Sequence, residues 1–161
     1  MNPPDYVLDV FLQPGEFFFG NNDARVRTLL GSCVAITLWH PQQLLGGMCH
    51  YLLPGDRQNN NDGKLDGRYA DAALELFMQE IKSSGTHPSE YTVKMFGGGN
   101  QFTGQKGVGN QNIPEKNIQT GKKLLLHHGF KLSSHHLGGN GHRNVIFDIW
   151  SGNVWVQHVN A

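Results

Sequence analysis

Cys33 and His50 are the two side chains in this sequence best suited to covalent chemistry. A thiol becomes a strong nucleophile when a neighbouring base takes its proton, and imidazole can do so near neutral pH. Cys33 closes the segment Thr28-Leu29-Leu30-Gly31-Ser32-Cys33, and His50 closes Gly47-Met48-Cys49-His50. A strand from Val34 to Trp39, a turn near Pro41 and a returning strand from Gly46 to Leu53 connect them. A register that sets Ala35 opposite His50 also sets Cys33 opposite Leu52. The thiol and the imidazole then share a face as diagonal neighbours, ~7–8 Å apart at the backbone. A slip of two residues puts them directly opposite, whereas a slip of one separates them. Cys49 points to the other face in either permitted register. Gly31 lets the chain turn tightly, so that amide N–H groups near Cys33 can face an oxyanion. Thr28 is placed to exchange a hydrogen bond with the imidazole and orient it, the third role of a triad. A cysteine at a strand start also serves as a small buried hydrophobe, and spacing alone leaves that alternative open.

The elements that must position these residues are mostly strands. Val7 to Leu12 and Glu16 to Phe19 read as short strands broken at Pro14-Gly15. Tyr91 to Phe96, Lys131 to His135, Asn144 to Trp150 and Val154 to Val159 complete the set, the last two joined through Ser151-Gly152-Asn153. The segment RYADAALELFMQEIKSSG predicts a helix with Tyr69, Ala73, Leu76, Phe77 and Ile81 on one face, stopped by Gly85. A second helix is expected to start near Pro114 and end at Gly129. The polar stretch 56–67 reads as a loop. With strands in the majority and no regular βαβ alternation, the expected class is α+β: a layered α/β sandwich with a mixed sheet and about two main helices.

Size and composition bound the function. The 161 residues suit one domain spanning 1–161. Thirteen basic and 13 acidic residues balance and do not cluster, which argues against a nucleic-acid partner. No apolar run reaches the ~20 residues a membrane span needs, so no membrane insertion is expected. The N-terminal stretch lacks a basic region followed by an apolar run, so a signal peptide is not expected. Two cysteines make no disulfide framework, and a cytoplasmic protein with reduced thiols is the expectation. Twenty-one glycines, against an average share of ~7%, imply many tight turns.

The chain resembles the CheD family of chemoreceptor glutamine deamidases. The resemblance runs through TLLGSCVAITLWHP (28–41), GGMCHYLLP (46–54), RYADAALELF (68–77), VKMFGGGNQF (93–102), VGNQN (108–112) and GGNGHRNVIFDIWSGNVWV (138–156). It implies a cysteine hydrolase fold shared with toxin deamidases, Cys33 as nucleophile, His50 as base and Thr28 as the orienting hydroxyl. The implied reaction converts glutamine to glutamate on the cytoplasmic helices of methyl-accepting chemotaxis receptors, through a thioester, with ammonia released. Neither a metal nor an organic cofactor is implied. The same chemistry would cleave a glutamyl methyl ester weakly. A CheC-type phosphatase is the implied regulatory partner. Cys49 stands where the family usually has a small residue, and His136 where relatives often carry an acid.

Other readings are weaker. His127-His128 and His135-His136 are adjacent pairs whose side chains diverge, so neither chelates a metal easily. The run Gly97-Gly98-Gly99-Asn100 lacks the Gly-Lys-Ser/Thr ending of a phosphate loop. A non-catalytic module that binds receptors or a phosphatase is the alternative from another functional class. The loop 56–67 follows His50 closely enough to border a substrate entrance.

Overall fold

Nine strands divide between two stacked mixed sheets in the computed structural model, which describes residues 2–55, 63–101 and 112–160. The strands are β1 (Leu8–Leu12), β2 (Phe17–Gly20), β3 (Ala24–Leu30), β4 (Val34–His40), β5 (Leu45–Tyr51), β6 (Thr92–Gly97), β7 (Leu132–Leu137), β8 (His142–Asp148) and β9 (Val154–Val159). One sheet has four strands in the order β1-β3-β8-β9, the other five in the order β2-β5-β4-β6-β7. The β1–β3 and β6–β7 pairs are parallel, and the other neighbours run antiparallel. Two helices, α1 (Ala70–Ser83) and α2 (Ile113–His127), cover the five-stranded sheet on the side away from its partner. The class is therefore α+β, as expected.

The chain changes sheets at its turns. Pro14-Gly15 separates β1 from β2, and Gly31-Ser32 separates β3 from β4, so each break moves the backbone from the four-stranded to the five-stranded sheet. Gly15 adopts φ +87°, a conformation open to glycine, and its amide bonds to the carbonyl of His50 at 2.8 Å. The first crossing is thus tied to the strand that carries the imidazole.

Two cores result. Val34, Ile36, Cys49, Tyr51, Phe77, Ile81, Met95 and Leu125 are among the residues that fill the space between helices and sheet. Leu12, Val26, Leu30, Ala35, Met48, Val145 and Phe147 are among those that fill the space between the sheets. Strand alternation assigns each residue of β4 and β5 to one core or the other. Helix α1 buries Ala70, Ala73, Phe77 and Ile81, together with Leu74, while Leu76 and Tyr69 stay half-buried. Among the described residues no helix is long and apolar enough to cross a membrane.

The expected strands form with shifts of one or two residues at their ends, and the second helix runs Ile113–His127. One strand went unread: β3. Its inward residues Ala24, Val26, Thr28 and Leu30 alternate with Arg25, Arg27 and Leu29, a period-two signal weakened by the small Ala and the polar Thr. Of the expected loop 56–67, residues 56–62 lie outside the described residues.

Helix α2 approaches the sheet closely because Gly121 has no side chain. A Cβ there would overlap the Tyr51 hydroxyl and sit 2.7 Å from Met95 Cε. Alanine ordinarily favours a helix interior over glycine by ~0.5–1 kcal/mol. Gly121→Ala is nevertheless expected to lower unfolding stability by ~1–3 kcal/mol through overpacking, read as a reduced denaturant midpoint. A midpoint equal to or above the parent's would contradict the close approach.

Candidate active site

His50 is the penultimate residue of β5, only 1% exposed, and faces the space between the sheets. Its Nδ1 stands 2.7 Å from Thr28 Oγ1, which belongs to β3 of the other sheet. The same hydroxyl donates to the carbonyl of Leu12 at 2.8 Å. A threonine hydroxyl has one proton, and a carbonyl can only accept. With that proton spent on Leu12, Thr28 must accept from His50, so the imidazole proton sits on Nδ1. Nε2 is then the lone-pair nitrogen, and it has no hydrogen-bond partner among the described residues. An unused buried acceptor costs on the order of 1–3 kcal/mol. Burial also lowers the His50 pKa from 6.5 to about 4, so the ring is neutral at neutral pH.

The β4–β5 register sets Ala35 opposite His50 and Val34 opposite Tyr51. Cys33 immediately precedes the ladder, and its side chain packs on the core between the sheets with Ala35, Leu30 and Met48. Thiol and imidazole therefore occupy one side of the five-stranded sheet. Cys33 is half-buried. Burial raises its pKa, and the Ser32 hydroxyl offsets part of that rise. Both groups are thus neutral at rest, which favours proton transfer during attack over the standing thiolate–imidazolium pair that a cysteine–histidine contact suggests.

The glycine run packs against the backbone of the cysteine segment. Gly98 N–H donates to the Cys33 carbonyl and Gly99 N–H to the Gly31 carbonyl, each at 2.9 Å. Gly97 has φ +112°, and a Cβ on it would collide with the Cys33 carbonyl. These glycines form a wall that grips residues 31–33. The Gly98 and Gly99 amides are consequently already engaged.

Cys49 pairs with Ile36 and Phe17, and its side chain lies in the core on the helix side. It is 1% exposed, and burial pushes its pKa up to about 12. His136, in β7, accepts from Arg143 Nε at 2.8 Å through Nδ1, while Arg143 also donates to the carbonyls of Gly97 and Gly138. Asn117 is the neighbour that pattern reading missed. It is fully buried in α2, and its side-chain nitrogen meets the carbonyls of Ser32 and Leu52. A buried asparagine within a polar helix leaves no periodic signature, so only contact reveals it.

A family model described as CheD chemotactic sensory transduction matches residues 52–158. Curated relatives align over nearly the whole chain, including residues 28–50. "Probable chemoreceptor glutamine deamidase CheD" of Pseudomonas savastanoi pv. phaseolicola is 48% identical, covering 98% of this chain and 89% of the relative. "Probable chemoreceptor glutamine deamidase CheD 3" of Dechloromonas aromatica is 47% identical, covering 95% and 89%. "Probable chemoreceptor glutamine deamidase CheD 1" of Leptospira interrogans is 39% identical, covering 96% of this chain and 95% of the relative.

Two outcomes follow from the burial of these groups. In the folded protein iodoacetamide is expected to modify Cys33 and to spare Cys49 until denaturant is added, as peptide mass mapping would show. Equal labelling of both would refute the assignment of the two cysteines to opposite faces. Between pH 6.5 and about 4 the unfolded chain takes up a proton at residue 50 that the folded chain refuses. Stability should therefore fall as pH drops through that window, and His50→Gln should flatten the decline. An unchanged slope in the variant would show that His50 is not desolvated.

Proposed function

The chain belongs to the CheD family, and on that premise we propose that it deamidates glutamine side chains of methyl-accepting chemotaxis receptors through a cysteine mechanism. The observation that carries this reading is the orientation of His50. Its Nδ1–H is bound by Thr28, and its unpartnered Nε2 lies on the side of the sheet that holds the Cys33 thiol.

The sulfur of Cys33 attacks the carboxamide carbon while His50 Nε2 takes the thiol proton. The C–S bond forms and the carbonyl electrons move to oxygen, giving a tetrahedral oxyanion. The oxyanion collapses, the C–N bond breaks, and His50 passes its proton to nitrogen so that ammonia leaves. A thioester remains. Water, giving a proton to His50 Nε2, attacks that thioester, and the returned proton regenerates the thiol as glutamate departs. Thr28 stabilises the transient imidazolium by accepting from Nδ1–H throughout. Each step needs only the thiol, the imidazole and water.

A glutamyl methyl ester presents the same carbonyl with methanol as leaving group, so weak esterase activity accompanies the amidase. The substrate is the cytoplasmic helical region of the receptor, which places the enzyme in the cytoplasm beside the membrane. A CheC-type phosphatase that docks at this face would compete with the receptor.

Incubation with a receptor cytoplasmic fragment should add one dalton at selected glutamines, detected by peptide mass spectrometry. Cys33→Ala and His50→Ala should abolish the gain, and Cys49→Ala should keep it. Thr28→Val should lower kcat by roughly 10- to 100-fold, the range for losing a group that orients a general base. Full activity in Cys33→Ala would end the proposal.

A further inference from the structure

Two buried side-chain polar atoms among the described residues lack a hydrogen-bond partner: His50 Nε2 and Asn117 Oδ1. The first is explained by its work as a base. The second has no such account, yet it lies on the residue that touches the backbone beside the nucleophile. Asn117 Nδ2 donates to the Leu52 carbonyl at 2.8 Å and, more weakly, to the Ser32 carbonyl at 3.3 Å. Its own carbonyl accepts from the Tyr51 hydroxyl at 2.6 Å, which fixes this turn of α2 against β5. Both neighbours of the side-chain nitrogen are acceptors, so the amide cannot be reversed without setting oxygen against oxygen. The orphaned Oδ1 is a consequence of keeping Nδ2 where it is.

What Nδ2 holds is one end of a peptide unit. The Ser32 carbonyl and the Cys33 N–H belong to the same planar trans group and point in opposite directions. A carbonyl drawn towards α2 therefore turns the Cys33 N–H away from α2. The peptides on either side are fastened too, since Gly99 binds the Gly31 carbonyl and Gly98 the Cys33 carbonyl. No backbone carbonyl among the described residues accepts the Cys33 N–H. This fastened peptide thus presents a free donor on the reacting residue itself. A hydrogen bond into its carbonyl also polarises the unit and strengthens its N–H as a donor.

We propose that Asn117 is a positioning residue that aims the Cys33 amide at the oxyanion of the tetrahedral intermediate. The inference rests on the reading of Cys33 as nucleophile. Asn117 touches no substrate atom and acts through the Ser32–Cys33 peptide.

The test compares two reactions of the same thiol. Alkylation by iodoacetamide displaces iodide at a saturated carbon and develops no oxyanion, whereas deamidation of a receptor fragment does. Loss of one oxyanion donor typically lowers kcat by ~10²–10³-fold. Asn117→Ala is expected to lose deamidation kcat by about 10²-fold with KM and the Cys33 alkylation rate within about threefold of the parent. Asn117→Leu keeps about the same side-chain volume and has no donor. It should show the same selective loss if the alanine variant is too unstable to purify. Deamidation within about threefold of the parent would overturn the proposal. So would deamidation and alkylation falling together, because that pattern marks a structural role alone. If parent protein alkylated at Cys33 still deamidates, the nucleophile assignment itself fails, and this inference fails with it.

Discussion

The 2.7 Å contact between Thr28 and His50 can form only if the four-stranded sheet stacks on the five-stranded sheet with β3 facing β5. That stacking is a packing problem before it is a chemical one. Val26, Leu30, Val145 and Phe147 from one sheet and Ala35 and Met48 from the other exclude water from the gap. Polar ties between sheets reinforce it, including Trp39 Nε1 to the Ile149 carbonyl and Arg143 to His136. Within that dry layer a threonine with a single proton decides which imidazole nitrogen is protonated, and the Leu12 carbonyl decides how the threonine spends its proton. The tautomer of His50 is thus set by a backbone carbonyl one residue layer further away.

Burial has two opposed effects on this site. It depresses the His50 pKa and raises that of Cys33, so neither group is charged at rest and no ion pair has to be desolvated. It also leaves Nε2 without a partner among the described residues, an energetic cost that packing elsewhere must offset. An uncharged pair keeps the thiol less reactive towards chance electrophiles.

Around the pair, the backbone is held at close range by residues without side chains. Gly97, Gly98 and Gly99 lie against residues 31–33 in a way that any Cβ at position 97 would prevent. Gly121 plays the same part for α2 and Tyr51. At these positions glycine serves close approach, to backbone at Gly97 and to side chains at Gly121.

The sequence by itself determined the local facts. Alternation in β4 and β5 placed Cys33 with Ala35 and His50, and Cys49 with Ile36, because side-chain direction on a strand has a fixed period of two. The helix over Ala70–Ser83 was legible from apolar spacing and the stop at Gly85, and that over Ile113–His127 from Pro114 near its start and Gly129 at its end. Motif order pointed to the CheD family. Tertiary structure alone decided how the strands divide between two sheets, since Pro14-Gly15 and Gly31 mark breaks without saying which sheet comes next. It also supplied β3 beneath His50, the Leu12 carbonyl behind Thr28 and Asn117 behind Ser32. These are contacts between residues far apart in the chain. No local periodicity encodes them, because their geometry exists only once the two cores have closed.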